Sequence, residues 1–276
     1  LASLKRDKQG VLWIGTWSGG LNKFDPVSEK VVRYQHDESN ANSLSDNNVW
    51  AIHIDEDDTL WLGTFGGGLN HFDPVASTFV HYRHDPDDAT SLSNDEVCAI
   101  YEDGEGGLWI GTSGGLNKFD RTTKSFRQYH TKDGLPNDVV CGIAEDDQGY
   151  LWMSTKNGLV KYDAQNESFH AYSIHDGVQS PEFNTGAAYK NAQGTLFFGG
   201  IDGFNAFDPE QMRDNPYVPP IKIVGLEILS REVEPGNDGV LTQPIENTDD
   251  LVLSYDHLAF TFKFAALSYT SPEKNQ

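Results

Sequence analysis

The chain has 276 residues with 42 acidic and 20 basic side chains, so its formal net charge is −22. This charge argues against nucleic acid as a partner, because binding to phosphates depends on Lys and Arg, and it also disfavours an anionic membrane surface. Apolar residues make up 37% of the chain, and 27 glycines with 12% aromatic residues indicate an all-β globular protein and not a disordered one.

The first element along the chain is a five-residue block with Trp at its second position. It occurs at residues 12–16, 60–64, 108–112 and 151–155, with a weaker copy at residues 196–200. The aromatic residues at positions 13, 61, 109, 152 and 197 are 43 to 48 residues apart. Such a regular interval indicates an internal repeat, which decides the architecture of the whole segment.

Three further blocks accompany the copies at nearly fixed distances. A block ending in an aromatic residue and Asp follows at residues 20–25, 68–73, 115–120, 158–163 and 203–208. A β-type segment precedes the copies at residues 49–54, 97–101 and 140–144, and another follows at residues 78–82, 125–129 and 168–172. Four short β segments separated by Gly, Asp, Asn and Pro turns predict a β-propeller blade.

The repeats therefore predict a β-propeller with five four-stranded blades in view. The blades cover residues 1–36, 37–84, 85–130, 131–173 and 174–208, and the fifth lacks a clear outer strand. One blade cannot bury both of its faces alone, so we expect the repeated Trp, Phe and Tyr side chains to pack between blades. Leu1 aligns with Val49, the start of an innermost strand, and no signal peptide precedes it, so we expect a piece of a longer protein.

A second region follows the repeats, after a linker that begins with Pro209 and Pro216. Residues 221–228 predict a strand, and apolar residues alternate with others from Leu258 to Phe264. Such alternation is typical of a half-buried strand in an antiparallel sheet.

The expected domains are residues 1–215, the propeller blades, and residues 216–276, a linker with the first strands of an incomplete sheet domain. Neither region contains a run of about 18 apolar residues, so the sequence predicts no membrane-spanning helix.

The repeated blocks resemble the two-component regulator propeller repeat. The resemblance is carried by Leu-Trp-Ile-Gly-Thr at residues 12–16 and by Gly-Gly-Leu-Asn-Lys-Phe-Asp at residues 19–25 and 114–120. Residues 176–184 resemble the final blades of that propeller, and residues 253–269 resemble the opening of the triple-tyrosine domain that follows it.

This resemblance implies the periplasmic sensor region of a bacterial membrane-bound receptor. In that family two seven-bladed propellers and an immunoglobulin-like triple-tyrosine domain precede a membrane helix and a histidine kinase or diguanylate cyclase. The five blades are then expected to belong to a seven-bladed ring, and residues 216–276 to begin an immunoglobulin-like β-sandwich. The implied function is extracytoplasmic ligand sensing, relayed to a cytoplasmic kinase or cyclase, without catalysis in this region.

The meander of a blade predicts where a ligand binds. The loops between second and third strands open on the same face as the loops that lead into the first strands. Residues there differ between blades, so the scaffold does not dictate them, and we predict ligand binding by Trp17, Phe65, Lys156 and Asp202. The two rings suit stacking on a sugar, and the acidic surface favours a neutral or cationic small molecule such as an oligosaccharide. Packing at the rim, or contact with another domain, is the alternative.

The expected partners are thus a small-molecule ligand, the rest of the receptor chain and a second copy in a homodimer. No cofactor and no metal are predicted, and the chain has no catalytic motif. His81 and His84 lie on an outer strand at a spacing that puts them on opposite faces. Acidic turns at residues 55–58 and 145–149 offer oxygens to calcium, but Asp and Gly also suit tight turns, the interpretation that we favour. Cys98 and Cys141 share one repeat position and predict two buried free thiols.

Two other classes of function remain open for a propeller. An enzyme of the lyase or lactonase type needs metal ligands at the starts of the first strands, where this chain has Asn48, Glu96, Asp138 and Phe183. An interaction scaffold of the WD type carries Gly-His and Trp-Asp signatures, which the repeats lack. The sensor is therefore the main hypothesis and the propeller enzyme the alternative.

Overall fold

The computed structural model of the chain describes residues 2–212, 221–236, 240–248, 250–255 and 257–266. The chain divides into two compact units, residues 1–212 and 213–276. Strands dominate both units, and no helix in the described ranges has the length and apolar character needed to cross a bilayer. The helical elements described are four 3₁₀ turns, Thr131–Asp133, Ile174–Asp176, Pro209–Gln211 and Ile245–Asn247.

The first unit consists of antiparallel sheets in which consecutive strands pair, as predicted for propeller blades. Blade 1 contains β1 (Ser3–Arg6), β2 (Leu12–Gly15), β3 (Leu21–Asp25) and β4 (Lys30–Tyr34). Blade 2 contains β5 (Val49–Ile54), β6 (Leu60–Thr64), β7 (Leu69–Asp73) and β8 (Thr78–Tyr82). Blade 3 contains β9 (Val97–Glu102), β10 (Leu108–Thr112), β11 (Gly115–Asp120) and β12 (Ser125–Tyr129).

Two more sheets complete this unit. Blade 4 contains β13 (Val140–Glu145), β14 (Leu151–Thr155), β15 (Gly158–Asp163) and β16 (Ser168–Tyr172). Blade 5 contains β17 (Phe183–Lys190), β18 (Leu196–Gly200) and β19 (Gly203–Phe207). Blade 5 is three-stranded within the described residues, which agrees with the missing outer strand in its sequence. The first strands of neighbouring blades contact one another, so they form the inner wall of the unit.

The hydrophobic cores lie between blades, as expected from the repeated aromatic residues. The Trp of each second strand is at most 2% exposed and packs against an aromatic residue from the third strand of the next blade. These pairs are Trp13–Phe72, Trp61–Phe119, Trp109–Tyr162 and Trp152–Phe207, with ring centroids 4.9 to 6.0 Å apart. Burial of such large rings is the main stabilising contribution at each blade boundary.

The Gly that follows each of the first three Trp copies allows neighbouring blades to approach closely. A Cβ atom on Gly15 would lie 2.5 Å from the carbonyl oxygen of Val49 in the next blade. A Cβ atom on Gly63 would lie equally close, at 2.5 Å, to the side chain of Val97. Because such contacts are too short for any side chain, blades 1 and 2 require Gly at this position, whereas blade 4 has Ser154 there.

The acidic turns between first and second strands also serve the blade itself. In blades 1 to 4 an Asp carboxylate accepts a hydrogen bond from the indole Nε1–H of the Trp six residues later. The pairs are Asp7–Trp13, Asp55–Trp61, Asp103–Trp109 and Asp146–Trp152, at 2.7 to 3.0 Å. Blade 5 has Asn191 and Phe197 at these positions, so it lacks both the indole donor and the carboxylate acceptor. These Asp residues thus have a structural role in the blade, as the turn interpretation expects.

The second unit contains a three-stranded sheet in the order β21-β20-β22. Its strands are β20 (Ile221–Ile228), β21 (Arg231–Glu232) and β22 (Phe260–Ala266). The strand expected at residues 221–228 is therefore present, whereas the alternating strand begins at Phe260, and Leu258 precedes it with 86% of its surface exposed. Leu226, Val233 and Leu241 form the core of this unit. The last residues of the triple-tyrosine resemblance, 267–269, lie outside the described ranges.

Candidate functional site

The first strands of blades 2, 3 and 4 contain a β-bulge near their starts. In β5 the pairing passes from Val49 directly to Ala51, which leaves Trp50 as the extra residue. The register shifts in the same way at Cys98 in β9 and at Cys141 in β13. Because a bulge re-aims the side chain of its extra residue, this position presents Trp in blade 2 and Cys in blades 3 and 4 without altering the flanking strand pairs.

Trp50 joins the two aromatic residues that the sequence predicts for ligand binding. Its ring stacks on Phe65 with centroids 4.3 Å apart and meets Trp17 edge-on at 5.1 Å. Trp17 is 60% exposed and Phe65 37% exposed, whereas Trp50 is only partly accessible. These three rings, here called the aromatic trio, form one partly exposed surface across blades 1 and 2. Trp50 was not among the residues predicted from the sequence, although its difference from the aligned Cys98 and Cys141 marks it.

Asn48 holds the two loops that carry the exposed rings. Its side-chain oxygen accepts a hydrogen bond from the Ser18 main-chain N–H at 2.9 Å, next to Trp17. Its main-chain carbonyl accepts one from the Phe65 N–H at 3.0 Å. A residue at the start of a first strand thus positions the aromatic trio.

Lys156 and Asp202 lie in the corresponding loops of blades 4 and 5. The Nζ of Lys156 donates a hydrogen bond to the carbonyl of Phe183 at 3.0 Å, across the boundary between these blades. The main-chain N–H of Asp202 donates to the side-chain oxygen of Gln179 at 2.9 Å, and the residue is exposed. The structure therefore unites Trp17 with Phe65 but places the two predicted charged residues in other blades.

A cavity of about 480 Å³ lies along the first strands of all five blades. We call it the channel cavity. Its wall is built largely of Ala, Ile and Gly residues and includes Trp50, Cys98 and Ser3. The aromatic trio thus extends through Trp50 into this cavity.

The two thiols are buried and free. Burial raises the pKa of Cys141 to about 11 and also raises the pKa of Cys98 above its ordinary value. Both side chains are therefore protonated at neutral pH, and neither has the thiolate character that nucleophiles and metal ligands need.

One group of metal-ligand residue types occurs between blades 2 and 3, formed by His53, Asp55 and Glu102. The guanidinium of Arg121 donates hydrogen bonds to both carboxylates, at 2.7 to 2.9 Å. Burial alone would raise the pKa of Asp55, but hydrogen bonds from His53, Arg121 and Trp61 outweigh it and hold this pKa well below its ordinary value. A cation of the chain itself therefore balances these carboxylates, and the group links two blades.

His81 and His84 bond to separate main-chain carbonyls. The Nε2 of His81 lies 2.8 Å from the carbonyl oxygen of Ser43, and the Nδ1 of His84 lies 2.8 Å from that of Leu92. Each imidazole thus fixes a different loop.

Comparison with known proteins gives the same architecture. The profile of the family described as two component regulator propeller matches residues 1–18, 43–66, 91–114 and 134–157. A histidine kinase P4 of Formosa agariphila is 30% identical over 98 residues, which are 35% of this chain and 7% of that protein.

Solved structures extend the likeness over nearly the whole chain. The extracellular domain of a hybrid two-component system from B. thetaiotaomicron is 27% identical with a TM-score of 0.72, over 98% of this chain and 36% of that one. The extracellular domain of a one-component system from the same organism has 20% identity and a TM-score of 0.61, over 98% and 47%, and shows the fold alone. The chain thus spans about a third of the first of these structures and less than half of the second.

Proposed function

Since this chain carries two-component regulator propeller repeats, we propose that it is a ligand-sensing, extracytoplasmic region of a bacterial membrane-bound signal-transduction receptor. It is itself non-catalytic and lies in the periplasm. Ligand binding to the propeller is relayed to a cytoplasmic kinase or cyclase. The likeness to extracellular domains of two-component systems supports this assignment.

The aromatic trio is the observation that carries the proposal. Its two exposed rings contact Trp50, which lines the channel cavity, and they lie on loops that the scaffold holds through Asn48 but whose residues it does not dictate. Aromatic faces stack on the apolar faces of sugar rings, and a chain of net charge −22 repels anions. The ligand is therefore a neutral or cationic small molecule, with an oligosaccharide as the first candidate. Lys156 and Asp202 supply polar contacts from the other blades.

Transmission requires partners beyond the binding site. We expect the rest of the receptor chain, with an immunoglobulin-like sandwich that residues 216–276 begin, and a second copy in a homodimer. A ligand shifts such an assembly only by its differential affinity for two arrangements of these parts.

A thermal-shift screen tests the binding site. The probes are the neutral disaccharides cellobiose, maltose, laminaribiose and xylobiose, each added to the chain. We expect at least one of them to raise the melting temperature, because a ligand that binds only the folded state stabilises it. Trp17→Ala and Phe65→Ala should remove that shift.

Phe204→Ala is the matched control, because Phe204 is 67% exposed but lies on a strand of blade 5. It should leave the shift intact. A shift that survives both Trp17→Ala and Phe65→Ala would exclude the aromatic trio as the binding site.

A further inference from the structure

Trp50 is not required by the scaffold of the blade. The same bulge accommodates Cys98 in blade 3 and Cys141 in blade 4, and the strand pairs on either side are alike. Contact with Phe65 and Trp17 accounts for an aromatic ring at this position but not for an indole in place of a phenyl ring.

The indole nitrogen of Trp50 is an unpaired hydrogen-bond donor. Its N–H is shielded from solvent and has no hydrogen-bond acceptor among the described residues. A buried donor without a partner destabilises the protein, so native proteins rarely retain one without a reason.

The structural tryptophans of the same chain behave differently. In blades 1 to 4 each indole N–H of the repeated Trp is paired with an Asp carboxylate. The chain thus provides an acceptor where Trp serves the fold, and it lacks one where Trp stands at the candidate ligand site.

A second unpartnered group belongs to the first strand of blade 1. The hydroxyl of Ser3 is buried and has no hydrogen-bond partner among the described residues. Ser3 and Trp50 belong to adjacent blades, and both line the channel cavity. The wall of this cavity thus contains two residues with an unpaired polar group, among many Ala and Ile residues.

We propose that Trp50 is a specificity-determining residue whose Nε1–H donates a hydrogen bond to an uncharged oxygen of the ligand, with the Ser3 hydroxyl as the second contact. The oxygen is a hydroxyl, ether or carbonyl group, because both protein groups are neutral. The inference rests on the proposed function, since the ligand ring lies on the aromatic trio. Because the Trp50 nitrogen is shielded, a neighbouring side chain must move to admit the oxygen, and we expect this to be Trp17, which contacts the Trp50 ring and is 60% exposed.

Indole NMR signals test the inference directly. The chain has six Trp residues, so a ¹⁵N-labelled sample gives six indole N–H signals, and Trp50→Phe assigns one of them. The probe is whichever of the four disaccharides gives the largest thermal shift. We expect the Trp50 signal to move downfield on binding, while the signals of Trp13, Trp61, Trp109 and Trp152 stay in place.

Affinity provides the second measurement. Trp50→Phe keeps an aromatic ring beside Phe65 but removes the donor, so the dissociation constant should rise about tenfold, the value of one hydrogen bond. Ser3→Ala should weaken binding less, by about threefold. Cys141→Ala changes the same bulge in blade 4 and should leave the dissociation constant unchanged.

The outcomes separate this inference from the proposed function. If no disaccharide moves any indole signal or the melting temperature, both fail. If Trp17→Ala abolishes binding while Trp50→Phe leaves the dissociation constant and the probe-induced shift of the Trp17 signal unchanged, the aromatic trio stands and the role of Trp50 is refuted.

Discussion

The guanidinium of Arg121 donates two hydrogen bonds to the carboxylate of Asp55, at 2.7 and 2.9 Å, across the boundary between blades 2 and 3. Its second nitrogen also reaches Glu102 at 2.8 Å. Because Asp55 is only 7% exposed, its charge depends on this partner. The paired fork of Arg therefore helps to fix the relative position of two blades that also meet through apolar rings.

Removal of this guanidinium should destabilise the propeller. Arg121→Ala leaves Asp55 charged and poorly solvated, and we expect the free energy of unfolding to fall by about 1–3 kcal/mol. The value stays below that of a fully buried pair because the Arg121 side chain is 38% exposed. Urea denaturation measures this fall in the free energy of unfolding. Arg121→Lys should show a smaller fall than Arg121→Ala but not full stability, because Lys lacks the planar fork of Arg.

Arg127 offers the matched control. It pairs with Glu167 in similar geometry, but both side chains are more than half exposed. Exposed pairs contribute little, so Arg127→Ala should change the free energy of unfolding by less than about 1 kcal/mol. Equal losses for the two variants would contradict the role assigned to burial of Asp55.

The hydrogen bond from Trp152 to Asp146 predicts a non-additive pair of substitutions. Asp146→Asn keeps an oxygen for the turn N–H groups but replaces the acceptor of the Trp152 indole, and should cost about 1–3 kcal/mol of unfolding free energy. In a Trp152→Phe background the same change should be nearly neutral, because no indole N–H is left unpaired. Blade 5 already contains this combination as Asn191 and Phe197.

A double-mutant cycle measured by chemical denaturation tests the coupling. We expect an interaction energy of about 1 kcal/mol or more between the two positions. Additive losses would show that the carboxylate acts only on the turn.

The blades were predictable because their strands repeat with the same turns, and each Trp marks the same strand. The aromatic trio was predictable only in part. Read as a regular strand, Val49-Trp50-Ala51 gives no sign that the register skips Trp50, because a bulge depends on how the partner strand pairs. The hydrogen bond of Lys156 could not be predicted either. Its acceptor is the main-chain carbonyl of Phe183 in the next blade, and a main-chain oxygen leaves no trace in the side-chain pattern.

The imidazole of His71 predicts a loss of stability in acid. It stacks on Trp61 at 4.3 Å, and burial lowers its pKa below the ordinary 6.5. The unfolded chain, with the higher pKa, binds more protons as the pH falls below 6.5, so the folded state loses stability there. Asp55, whose pKa is also lowered, adds a loss at still lower pH.

Replacement of the His71 imidazole should reduce the dependence of stability on pH in the range closest to neutral. Blades 1, 3 and 4 have Lys23, Lys118 and Lys161 at the equivalent position, each near the Trp ring of its blade. His71→Lys should therefore fold and should lose the decline just below pH 6.5. Melting temperatures across the pH range measure this, and an unchanged decline would assign it to another group.

The exposed face of blade 1 predicts self-association of the 276-residue chain when it is studied by itself. Val31 is 58% exposed, although the equivalent Phe79 and Phe126 are 6% and 5% exposed beneath a neighbouring blade. An apolar face of this kind pairs with another surface when no blade covers it. We expect light scattering to show concentration-dependent association, and Val31→Asp should reduce it. A monodisperse sample at all concentrations would contradict this expectation.

In most strands the same residues pair with the neighbouring strand and present side chains to the surroundings. The bulges of blades 2, 3 and 4 divide these two roles between different residues. The paired residues on either side keep the ladder, whereas the extra residue takes no part in it, so exchanges at positions 50, 98 and 141 leave the hydrogen-bonding frame intact. Duplication of the repeat therefore preserves the strand pairs, while the residue at the bulge varies without cost to them. At the proposed ligand site, substitution of Trp50 can change the surface offered to a ligand without altering the pairing of β5.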